Sequence, residues 1–170
     1  YNDILRIAFM YKFGRAKLKD LVSLLGGRDF ETREYKVSIA EDSFKKLSEG
    51  VIDFMNQYTF SNFILGIKAA GFISNKLINS QITLDFAYTL YLLLNNDPAF
   101  EKSQIKHYVA KWFVMSTLTN RYTGSPETQM DFDIKRIREK GFLAFFQEVE
   151  EANLSETFWN VRLVQLLETS

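Results

Sequence analysis

The 170-residue chain has no cysteine, one histidine, two prolines and eight glycines, and each shortage removes a class of chemistry. Without thiols there is no disulfide, no thiolate nucleophile and no cysteine-held metal site. Lack of cysteine also fits a reducing cytoplasm, the expected location. The lone imidazole, His107, cannot furnish an HNH nuclease centre or a multi-histidine metal site. It shares a helix line with Val114 and Arg121, but fourteen residues of helix separate His107 from Arg121 by ~21 Å. His107 is therefore read as structural or exposed.

Net charge is lacking as well: 21 cations balance 21 anions, so no global field draws the molecule onto nucleic acid or an acidic membrane. No apolar run reaches the ~18–20 residues of a membrane span, and no basic-then-apolar signal pattern opens the chain. The few glycines form neither a phosphate-binding loop nor a dinucleotide fingerprint. Gly26-Gly27 reads instead as a helix stop. Tyr1 without a preceding Met, and Thr169-Ser170 directly after an amphipathic run, are ends expected of a piece cut from a longer chain.

What the chain has in quantity is apolar surface. Hydrophobic residues make up 46% and aromatics 15%, with sixteen Phe, enough for a core without staples. They recur at three- and four-residue steps, so the fold class is all-α, a bundle of about seven to nine helices in one domain over residues 1–170. Asn2 or Asp3 caps a first helix to Phe13, and a second runs from about Arg15 to Leu25. Residues 28–37 are irregular. Ser38 with Glu41 reads as a capping box opening a helix to about Gln57. Thr59 or Ser61 opens the next, ended by Gly71, and a short piece covers 72–78. From Ile82 to Asn95 apolar residues nearly encircle the axis, which marks a central helix. A helix over Ser103–Tyr122 carries Ile105, Tyr108, Val109, Trp112, Met115 and Tyr122 on one stripe, with Val114 and Leu118 opposite. Ser125 with Pro126 starts a helix whose Met130, Ile134 and Ile137 face inward, and helices over 142–152 and 155–168 follow.

Polar clusters are few. Asp131 and Asp133, and Glu148, Glu150 and Glu151, read as solvated helix surface, because two-residue spacing splays side chains apart. Asp131 with Lys135 reads as an exposed i,i+4 pair. Lys135, Arg136, Arg138 and Lys140 suit a helix C-terminus. Lys12, Arg15, Lys17 and Lys19, with Arg6 and interleaved Tyr11 and Phe13, make the best local case for nucleic-acid contact.

The most distinctive string is Lys111-Trp112-Phe113, then Asn120-Arg121-Tyr122-Thr123-Gly124-Ser125-Pro126-Glu127. It reads as an aromatic helix, a glycine turn and a helix start, with backbone N–H groups near Arg121 available to an anion. Together with Asp133-Ile134, Asp20–Glu34 and Ala69-Ala70-Gly71-Phe72-Ile73-Ser74, the string resembles the helical region of GmrSD-type restriction endonucleases. In that family a ParB-like module linked to nucleotide-dependent activity precedes an HNH nuclease, and the motifs of both are missing here. The resemblance implies a helical middle piece of a phage-defence protein with the flanking domains as partners. No catalytic, cofactor or metal residue carries over. Trp112, Arg121, Tyr122, Gly124, Ser125 and Glu127 are the candidate junction. The alternatives are a DNA-binding module using Lys12, Arg15, Lys17 and Lys19, and an interaction domain unrelated to restriction. A homo-oligomer is compatible with the sequence but not indicated by it.

Overall fold

A computed structural model describes residues 1–72, 80–162 and 164. Among them the chain is all-α, with no strand. Helix α1 spans Asn2–Phe13 and α2 Leu18–Leu25. Gly14, at φ 73°, ends α1 and returns its N–H to the Met10 carbonyl. The irregular stretch holds a single antiparallel bridge, Arg28 to Tyr35. Asp29 organises it by accepting from the backbone N–H groups of Glu31 and Thr32.

α3 runs Val37–Phe54 and α4 Gln57–Ala69. The expected capping box at Ser38 is not used. Lys36 donates its N–H to the Gly27 carbonyl and is held extended in the N-cap position, so the helix starts one residue before Ser38 can act. At α4 the cap is Asn56, whose side chain accepts from Thr59, rather than Thr59 or Ser61. An amide oxygen placed three residues ahead satisfies the same orphan N–H.

α5 spans Gln81–Asn96, capped by Ser80. A single 3₁₀ turn at Lys102–Gln104 leads into α6, Ile105–Leu118. α7, Pro126–Lys140, and α8, Phe142–Asn153, follow, then a π turn at Phe158–Arg162. The expected piece over 72–78 and the end of the expected helix over 155–168 lie outside the described residues.

α5 is the centre, as its encircling apolar pattern predicts, with ten of its residues buried. α1 and α6 pack on it, α3 packs on α1 and α2, α4 on α6, and α8 on α7. The larger core cluster surrounds α5 and α6. A smaller one, Ala8, Phe9, Leu21, Leu24 and Leu47, fills the space between α1, α2 and α3. α1 serves both, with Ile7 and Met10 in the first and Ala8 and Phe9 in the second. It approaches α3 closely at Gly50, where a Cβ would meet Lys12 Cγ at 2.9 Å and the Ala8 carbonyl at 3.1 Å. No described helix is long and apolar enough to cross a membrane.

Candidate functional site

The α6–α7 connection builds a buried polar network around Asp133. α6 stops at Leu118, four residues short of the expected Tyr122, because Asn120 takes a left-handed conformation, φ 51°. The Arg121 N–H bonds the Ser116 carbonyl and the Asn120 N–H the Thr117 carbonyl, the paired bonds of a Schellman stop. That stop turns Arg121 and Tyr122 back toward the bundle. Gly124, at φ 79°, then completes the turn, and Pro126 opens α7 in the position where its missing N–H costs nothing.

Asp133 is fully buried, which overturns its reading as surface. Arg121 donates from Nε to its Oδ2 at 2.8 Å and from Nη2 to its Oδ1 at 2.6 Å. The Tyr122 hydroxyl donates to Oδ2 at 2.8 Å, and Gln129 Nε2 to Oδ1 at 2.9 Å. Each carboxylate oxygen thus has two donors. Trp112 Nε1 donates to the Tyr122 oxygen at 3.2 Å, and the Arg121 guanidinium lies 5.3 Å from the Trp112 ring and 6.0 Å from that of Phe145 on α8. Burial, and then the Asp133 charge, push the Tyr122 phenol well above its ordinary range, so it stays a proton donor. The arrangement ties α6, α7 and α8 together as a satisfied ion-pair network.

Of the string's other residues, Phe113 is buried in the core, and the turn before α7 lies toward the surface. Gly124 and Ser125 are exposed. Ser125 holds the N-cap position of α7 without a side-chain bond. Glu127 reaches Arg6 at 3.6 Å. Arg121 is engaged with Asp133, so its side chain is not held for an external anion.

Asp131, expected on the surface with Lys135, instead accepts from the Ala16 N–H and lies 3.7 Å from Arg15 and 3.9 Å from Lys17. Lys135 pairs with Glu139. The basic hairpin is therefore largely neutralised within the fold. Lys12 pairs with Asp53 at 2.7 Å and Arg15 with Asp20 at 2.7 Å, while Lys19 is exposed. In the second basic cluster, Arg136 and Lys140 pair with Glu148 of α8, and Arg138 donates to the Phe13 carbonyl.

His107 is exposed on the rim of a mostly apolar cleft of about 680 Å³ between α4, α6 and α8. Val114 and Leu118, the second apolar face of α6, line this cleft with Leu65, Phe146 and Leu154. Lys111 closes one side through its pair with Glu150 at 3.2 Å. Among the described residues no group of three His, Asp or Glu side chains converges as a metal site. No family model matches the chain, and comparison with curated proteins and with solved structures finds no match either.

Proposed function

We propose that this chain is a non-catalytic helical scaffold of a cytoplasmic DNA-restriction protein of the GmrSD type, holding an NTP-dependent ParB-like module and an HNH nuclease in fixed relation. One observation carries the reading. The residues behind the resemblance, Trp112, Arg121, Tyr122 and Asp133, direct their polar groups at one another. An active centre leaves donors and acceptors facing the space a substrate will occupy; here the same groups lock three helices. A rigid junction transmits position between its neighbours, which is the task of a piece placed between two modules.

The test combines activity with assembly. The chain alone is expected to hydrolyse no nucleotide and cleave no DNA, and to bind its flanking modules when these are supplied separately. Robust turnover by the chain alone, or no binding to either module, would overturn the proposal.

A further inference from the structure

α6 has two apolar faces, and they meet different surroundings. Val109 and Trp112 are buried in the core, whereas Val114 and Leu118 are half-buried on the floor of the cleft between α4, α6 and α8. Gly66 and Ala70 of the α4 segment wall it on one side, and Phe146 and Leu154 of the α8 segment on the other. A concavity of about 680 Å³ with mostly apolar walls has the size and character of a small-ligand site.

The course of the three segments gives this cleft two unlike ends. Lys106 donates to Asn62 Oδ1 at 2.9 Å, and the rings of Phe72 and Phe113 lie 4.7 Å apart, so the α4 segment advances in the same direction as α6. The rings of Tyr108 and Phe146 are 5.6 Å apart and Lys111 pairs with Glu150 at 3.2 Å, so α8 does the same. At the starting end stand Lys106 and His107, both exposed. Lys106 meets a neutral amide at Asn62, which does not cancel its charge. Glu150, the carboxylate in the described lining, is committed to Lys111. The far end is formed by Ala70, Leu118, Leu154 and Trp159, none of them charged. From Lys106 to Leu118 the helix runs ~18 Å.

We propose that the cleft binds a long-chain carboxylate, its head on Lys106 and His107 and its alkyl chain along Ala110, Val114 and Leu118. Charge selects the head, since a cationic entrance attracts an anion and repels an alkylammonium. Shape selects the tail. An α-helix 10–12 Å across lying along the same ~18 Å would occupy on the order of 1,400 Å³, about twice the volume of the cleft. An extended alkyl chain of about 14 carbons, at roughly 1.25 Å per carbon, spans the length and fits between Gly66, Ala70 and Ala110. The site is separate from the Arg121 junction, and the proposal is independent of the scaffold reading.

Trp159 lines the cleft and is partly exposed, while Trp112 is fully buried, so tryptophan emission reports on occupancy. The full chain, titrated with dodecanoate below its micellar concentration, is expected to show a saturable blue shift with Kd in the micromolar range. Across straight-chain carboxylates, affinity should rise about fivefold to tenfold for every two carbons added and level off near 14 carbons, where the cleft ends. Dodecylammonium should bind at least tenfold more weakly than dodecanoate. Lys106→Glu should weaken dodecanoate about tenfold and strengthen dodecylammonium, and Ala110→Phe should abolish binding of both by filling the floor, each with an unchanged circular dichroism spectrum. Absence of saturable binding would overturn the proposal. So would equal affinity for the carboxylate and the ammonium, or a Lys106→Glu variant that binds both as the wild type does.

Discussion

At the scale of the residue, the Arg121–Asp133 pair sets the sharpest expectation. A buried charge whose partner is removed has no water to turn to, so Asp133→Asn, which leaves the guanidinium uncompensated, should cost about 3–5 kcal/mol. Replacing both partners, as Arg121→Met with Asp133→Leu, removes the desolvated charges together and should recover most of that loss. Thermal melts followed by circular dichroism distinguish the two. Asp85 presents the reverse case. It is 2% exposed, one of its oxygens accepts from Gln81, and the other has no hydrogen-bond partner. Burial pushes its carboxyl up to about 6. The folded chain therefore holds this proton more tightly than the unfolded chain. Its contribution is present in full below pH ~4 and is lost as pH rises toward ~6, a loss on the order of 2–3 kcal/mol. Asp85→Asn should abolish that fall, so the variant's advantage over wild type in urea titrations should grow from pH 4 to pH 6 and then level off.

At the scale of the element, α1 and α3 touch where Gly50 leaves room for Ala8 and Lys12. Gly50→Leu should force the helices apart and cost on the order of 1–3 kcal/mol, read as a lower urea midpoint. Element identity was legible in the sequence far more than element ends were. The apolar spacing that marks α5 as central is a property of the segment itself. Helix starts depend on neighbours: Ser38 lost the start of α3 because the Gly27 carbonyl fixes Lys36 first. The two-residue rule correctly separated Asp131 from Asp133, but neither face was solvent. A signal for Asp133 was present, since it sits between Met130, Ile134 and Ile137 on the inward face of α7. An acid on an apolar stripe calls for a buried partner.

At the scale of the whole molecule, charge balance is local as well as global. The acids that neutralise the basic hairpin come from Asp20, Asp53 and Asp131, two of them far along the chain, so a window confined to residues 4–19 hides them. Duplex DNA affinity is expected to be weak. Its log–log salt slope should be shallower than about −1, against the −3.6 or so that four freely available phosphate contacts would give at −0.9 each. Filter binding at 50–200 mM salt checks this; a slope near the steeper value would return the hairpin to the role of a nucleic-acid contact. The candidate junction was legible as a place, since Trp112, Arg121 and Tyr122 do meet, but not as a mechanism, because Gln129 and Asp133 complete it from another helix. That completion constrains how related sequences can diverge. Loss of either ion strands the other, so drift at the two positions must pass through an unfit intermediate or change both at once. Among descendants, Arg121 and Asp133 should behave as one inherited character.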